Sequence, residues 1–220
     1  VGRPRGFDVD EVVDEAMKVF WRQGYDRTTI SDLTSAMGIE RPTLYSTFGS
    51  KEDLFAAALI RYERGPSRYF EAALALPTSR EVAEALLRGA AHLHADPCGP
   101  AGCLTVQGAA VGREEDGGPS GELAAARKDA ERRIRLRLER AVEEEDLGED
   151  ADPASLAAFL RVLTYGMSVR AASGASRQEL DAVVDQALIS WPSGADAGRH
   201  EQGHHKNLHP SNAFAGPAPT

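Results

Sequence analysis

Two short apolar periods hinged on one glycine, TTISDLTSAMGIERPTLYSTFGSKEDL over residues 28–54, leave the N-terminal quarter of this chain little choice of fold. Ile30, Leu33 and Ala36 recur at helical spacing as one inner face, and Thr28 and Thr29 stand where cap hydroxyls belong. Asp32 follows Thr29 at capping-box distance, and Gly38 closes the helix. A second helix is predicted from about Arg41 to Thr47, with Pro42 in its first turn, where the missing N–H costs nothing. It turns Leu44 and Phe48 inward. Ser50, with Asp53 three residues on, caps a third helix at once.

That spacing is a helix-turn-helix, which lays its second helix in the major groove of duplex DNA. A preceding helix opens at Asp8, has Glu11 at capping-box spacing, buries Val12, Ala16, Val19 and Phe20, and stops at Gly24. The helix after Ser50 carries Leu54, Phe55, Ala58, Leu59 and Tyr62 and ends at Gly65-Pro66. Further helices are predicted over about 67–76, 79–95, 102–115, 121–146, 154–173 and 177–191, divided by Pro77, Pro97 to Pro100, Gly117-Gly118-Pro119, Asp152-Pro153 and Gly174. No convincing strand period appears. The fold class is therefore all-α: an N-terminal three-helix helix-turn-helix domain over 1–50, a connecting helix over about 51–65, a C-terminal helical domain for ligand binding and dimerisation over 66–192, and a tail over 193–220.

Charge alone does not support DNA binding. The net charge is −9, and residues 1–64 hold nine Lys/Arg against eleven Asp/Glu. Placement does support it. Arg3, Arg5, Arg27, Arg41 and Lys51 fall at helix starts or in loops, while the acids cluster in the first helix. Arg41, Thr43 and Ser46 are the expected base readers: Arg41 can grip guanine with two hydrogen bonds, and Thr43 can set its methyl against thymine. Pro42 packs on a sugar or a thymine methyl. Thr28 caps its helix and touches phosphate at once. Arg3 and Arg5 form either a minor-groove arm or a solvated end.

The predicted helix over 121–146 runs basic first and acidic last, against its own dipole, over a thin seam of Leu123, Ala126, Ala130, Ile134, Leu138 and Val142; its end is expected to fray. The last two helices are richer in apolar residues than one buried face needs. Leu156, Phe159, Leu163, Met167, Val184 and Leu188 are the expected seam of a four-helix bundle between two subunits, the alternative being a monomeric core. The tail, with His200, His204, His205 and His209, has too few apolar residues to order itself.

No stretch approaches the ~18 apolar residues of a membrane helix, and Val1-Gly-Arg-Pro-Arg is no signal peptide, so a cytoplasmic setting without membrane contact is expected. There Cys98 and Cys103 are expected as thiols. Cys103 begins a predicted helix, whose dipole favours thiolate; it reads either as an electrophile or oxidant sensor with Cys98 as resolving partner, or as a small buried hydrophobe. His92, His94, Cys98 and Cys103 together also admit a soft metal site, although His92 and His94 face different ways on a helix. A C-terminal effector cavity is expected to involve Phe70, Leu87, His92, Val106 and Tyr165. No cofactor motif or catalytic signature of an enzyme is present. A helical adaptor that uses this fold for protein contacts is the remaining alternative.

Across residues 8–62 the chain resembles the TetR/AcrR family of bacterial transcriptional repressors, through Ala16, Phe20, Gly24-Tyr25, Thr28-Thr29-Ile30, Leu33, Ala36, Gly38-Ile39 and the run L-Y-x-x-F-x-x-K-x-x-L from Leu44 to Leu54. Gly102-Cys103-Leu104 is similar to the start of the sixth helix in one branch. The resemblance implies a homodimer bound to a palindromic double-stranded operator, half-sites about 34–36 Å apart, released by a small molecule in the C-terminal core. It also implies phosphate contacts from Tyr45, Thr47 and Lys51. Lys51 sits where the dipole disfavours a cation, which a nearby phosphate explains. Tyr45 could equally fill the core. Glu40 departs from the small cap usual before the reading helix.

Overall fold

The computed structural model describes residues 8–107 and 117–192; Arg3, Arg5, residues 108–115 of the helix expected over 102–115, and the tail lie outside the described residues. Every regular element described is helical. The chain runs α1 (Val9–Gln23), α2 (Ile30–Met37), α3 (Arg41–Phe48), α4 (Lys51–Arg64), a single 3-10 turn (Pro66–Arg68), α5 (Tyr69–Leu74), α6 (Ser79–His94), α7 (Leu104–Gln107), α8 (Gly118–Glu143), α9 (Pro153–Ala172) and α10 (Arg177–Ile189).

Local chemistry sets most of these limits. Thr29 and Asp32 form a reciprocal capping box on α2, as Thr78 with Glu81 and Ser176 with Glu179 do on α6 and α10. Asp8 caps α1 through the Asp10 amide, so Glu11 is not needed for a box. Gly38 ends α2 at φ 64°, a left-handed geometry that a side chain would strain, and so makes the tight turn into α3. Glu40 gives α3 no side-chain cap, as its chemistry suggested, and Pro42 in the first turn holds the helix start instead.

Two apolar clusters organise the molecule. The first joins α1 to α4, with Phe20, Leu33, Leu44, Leu54 and Phe55 fully buried. Sequence periodicity placed Ala36 on the inner face of α2, but Ala36 is exposed and Met37 is buried in its place. The α1 stripe is also wider than expected, because Val13, Met17 and Trp21 bury a second face. That face meets the C-terminal half: Leu93, Cys103, Leu104 and Leu123 belong to this same cluster. α4 is therefore more than a connector, burying Leu54, Phe55, Ala58, Leu59 and Tyr62 there. The second cluster is built by α5, α6, the C-terminal part of α8, α9 and α10.

Two expectations about the C-terminal half change. α8 stops at Glu143, so the acidic run leaves the helix rather than fraying within it, and Asp146 accepts a hydrogen bond from the Ser79 amide at the start of α6. Met167, Val184 and Leu188, expected between subunits, are buried in the protomer's own core at 2%, 0% and 5% exposure. Helical rotation turns them inward. The outward faces of α9 and α10 instead show Phe159, Val162, Val169 and Ile189, with Leu156 and Leu163 half-buried.

Candidate nucleic-acid interface and effector cavity

α3 is held by one fully buried residue, Leu44, and presents Arg41, Pro42, Tyr45, Ser46 and Thr47 to solvent, with Thr43 half-buried. The guanidinium of Arg41 lies 5.6 Å from the centroid of the Tyr45 ring, so the two form one exposed unit a helical turn apart. Tyr45, 40% exposed, is not a core filler. Ser46, exposed, donates to the Thr43 carbonyl at 3.1 Å, which leaves its oxygen able to accept a further hydrogen bond.

Lys51 is braced rather than free. Its ammonium lies 4.0 Å from the centroid of Tyr25, and the Tyr25 hydroxyl donates to Glu52 Oε1 at 2.6 Å. Burial and then the Glu52 carboxylate push the Tyr25 phenol well above its ordinary range, so it stays a proton donor. Sequence reasoning missed Tyr25, although its place beside Gly24 at the end of α1 was visible.

Thr28 requires a correction. It is 2% exposed, and its hydroxyl donates to the Gly24 carbonyl at 2.7 Å, so it neither caps α2 nor reaches a phosphate. The cap is Thr29. Several acids of the head are engaged internally, though Glu40 at the start of α3 is exposed without a cap bond. Asp32 accepts from Thr29, Asp53 from Ser50 and Glu52 from Tyr25, while Asp14 takes a bidentate contact from Arg61 at 2.7 and 2.8 Å. The Arg61 guanidinium holds the Asp14 carboxyl below its usual range. A nearly neutral head thus still shows cations on the α3 side.

Next to the head, α4, α5, α7, α8 and α9 enclose a cavity of about 390 Å³, a volume suited to a small ligand. Phe70 and Tyr165 line it as expected, with Tyr62, Tyr69 and Cys103. Gly89 makes the position of Tyr69 possible, since a Cβ there would meet the ring at 2.1 Å. Part of the thin seam of α8 faces this space: Ala126 and Ala130 line it, with Ala125 beside them.

Cys103 precedes α7 and is buried. Its amide donates to Ser168 Oγ at 2.8 Å, and its sulfur lies 3.2 Å from the Tyr62 hydroxyl and 3.1 Å from that of Thr105. Burial pushes the thiol up; the His94 imidazole, then the Thr105 and Tyr62 hydroxyls, outweigh it and hold it at about 6. Neither ring nitrogen of the fully buried His94 makes a formed hydrogen bond, so the imidazole acts on the thiol as a polar neighbour in the same dry site. A side chain from α6 thus acts on this thiol, which stands just before the four-residue α7.

The other expected members disperse. His92 is exposed on α6 with Nδ1 2.7 Å from Arg177 and lines a different cleft beside Met17 and Trp21. Cys98 is exposed in the loop after α6 and does not line the cavity. Leu87 is buried in the second core, and Val106 packs on the first. His92 and Cys98 therefore do not join His94 and Cys103 in one metal-binding group.

The head and the cavity share residues. Trp21 donates from Nε1 to the Gly102 carbonyl at 3.1 Å and meets Tyr62 edge-to-face at 4.8 Å between centroids. Tyr62 in turn touches Cys103. α1, α4 and the Gly102-Cys103 turn are one packed unit, with the cavity on its flank.

Residues 12–58 match the family model for bacterial regulatory proteins of the tetR family. The chain is 33% identical over 194 residues, 87% of its length and 92% of the relative's, to the HTH-type transcriptional repressor ComR of Escherichia coli strain K12. It is 30% identical over 190 residues, 86% of its length and 98% of the relative's, to the HTH-type transcriptional regulator YezE of Bacillus subtilis strain 168. Among solved structures, a cysteine-substituted variant of the TetR family transcriptional regulator CifR, complexed with 26-bp double-strand operator DNA, superposes with a TM-score of 0.80 at 39% identity, over 86% of this chain and 100% of that one.

Proposed function

This chain belongs to the TetR family of bacterial regulatory proteins, and we propose that it is a transcriptional repressor that binds a palindromic operator as a homodimer and releases it when the cavity beside Cys103 is occupied or its thiol is modified. The observation that carries this reading is α3, a helix anchored by Leu44 with its remaining polar face bare. Arg41, Thr43 and Ser46 read base edges, while Tyr45, Thr47 and Lys51 hold phosphates. The domains divide accordingly: α1–α3 read, α4 links, and the helices from residue 66 to 192 sense and pair.

Support for pairing comes from an apolar groove between α9 and α10, lined by Phe159, Leu163, Val183 and Ala187. Two heads whose local charge nearly cancels need this pairing to bind tightly. Release runs through the shared unit: a ligand against Tyr62 and Cys103 presses on Trp21 and so on α1. Selection of duplexes from a random pool by the purified protein tests the central reading. A two-fold symmetric site is expected, and recovery of unrelated sequences would sink it.

A further inference from the structure

We propose that the cavity takes an amphipathic organic acid whose carboxylate pairs with the buried guanidinium of Arg161, an inference that rests on the cavity being the effector site. Arg161 of α9 is 9% exposed and lines the cavity. One terminal nitrogen donates to the Tyr165 hydroxyl at 2.8 Å, and the guanidinium stands 4.6 Å from that ring's centroid. Its Nε has no hydrogen-bond partner, and no carboxylate among the described residues pairs with it. A guanidinium removed from water without an anion is costly, and an aromatic face offsets only part of that cost. The other arginine buried among the described residues is Arg137. Its Nε and one terminal nitrogen are also without partners, but the other terminal nitrogen donates to the carbonyls of Leu76 and Pro77 at 2.8 Å, and the side chain lies away from this cavity.

Acids do occur at this cavity, but they stand at its rim. Glu63, Glu71 and Asp129 are exposed, and Glu71 is paired with Arg133. Water screens the rim charges, whereas Arg161 acts from a drier floor, so the floor decides the sign of the ligand. Its length is set by α9. Ser168, which holds the Cys103 amide, is seven residues or about 10 Å along the helix from Arg161. An acid at Arg161 therefore extends past Tyr69 and Phe70 toward the thiol.

The full chain without DNA tests this with two matched trios: octanoate, octanamide and octylamine, and phenylbutyrate, its amide and phenylbutylamine. The readout is the iodoacetamide alkylation rate of Cys103 by mass spectrometry, with exposed Cys98 as the internal standard. At least one acid is expected to slow Cys103 about tenfold more than its amide at equal concentration, as a charge-assisted pair demands, and to leave Cys98 unchanged. Arg161→Gln is expected to abolish that preference. Equal or better protection by the amide or the amine, no protection by any member of either trio, or a preference that survives R161Q overturns the proposal. The comparison within wild-type protein needs no variant to fold. Because no operator is present, failure here leaves the duplex selection as an independent test of repression.

Discussion

In the first core, Phe20, Phe55, Trp21 and Tyr62 meet edge-to-face with centroids 4.8 to 5.1 Å apart, and no described polar side chain buried among α1 to α4 is left unpaired. In the C-terminal half, His94, Arg137 and Arg161 hold all the unpaired buried side-chain nitrogens found among the described residues. The head is packed to keep one shape. The cavity half carries polar groups whose burial is incompletely compensated, and one of them, Arg161, lines the cavity where a ligand can reach it. On the proposed reading, that asymmetry is what a small molecule uses to bias one half without melting the other.

The largest blow to this contrast is Phe20→Ala, which removes a fully buried ring from the rigid side. It is expected to cost about 3–5 kcal/mol in urea unfolding and to abolish operator binding. An unchanged midpoint would mean the head is not the rigid partner. Phe159→Glu places a charge on the exposed face of α9. Sedimentation should then report monomers, and operator affinity should fall roughly a hundredfold through lost bivalency. A variant that stays dimeric moves the interface elsewhere.

Within the head, Arg41→Ala is expected to cost about 1–3 kcal/mol at one base position and relax specificity there. Lys51→Ala should weaken all duplexes alike and lower the salt slope by about one. Equal, sequence-independent losses from both would erase the division of labour. Trp21→Phe leaves the Gly102 carbonyl without its donor, at a cost of about 1 kcal/mol, and should blunt ligand-induced release more than operator affinity. The smallest effect concerns pH. With the Cys103 thiol held at about 6, alkylation should reach half its plateau near that pH, and His94→Gln should move the midpoint upward. The sign for stability follows, because the folded state favours thiolate: this contribution is complete above the ordinary thiol value and is lost as pH falls through about 6.

The reading helix was legible because its determinants lie within a few residues of one another. The Thr29–Asp32 box, Gly38, Pro42 and the Ser50–Asp53 cap each act over at most one turn. Adjacent threonines mark where local reasoning ends. Thr28 and Thr29 carry the same hydroxyl, and only the fold of the preceding turn sends Thr28 back to Gly24. The cavity was far less legible. Cys103 stood out in the sequence and His94 was grouped with it only as a metal ligand, while Arg161 was missed, although it is a charge on the same face as Thr164 and Ser168 in a mainly apolar helix.

An all-helical chain, the caps and turn that build α2 and α3, and the side chains α3 offers to a groove all follow from local sequence. Packing decided which faces of α1, α8, α9 and α10 turn inward, and with them the cavity, the placement of Cys103 between Tyr62 and Ser168, and the buried Arg161. The cause is range. Caps and helical periods are interactions between near neighbours, whereas a cavity wall drawn from five helices depends on the rotation of each about its own axis, which only contact with the others sets.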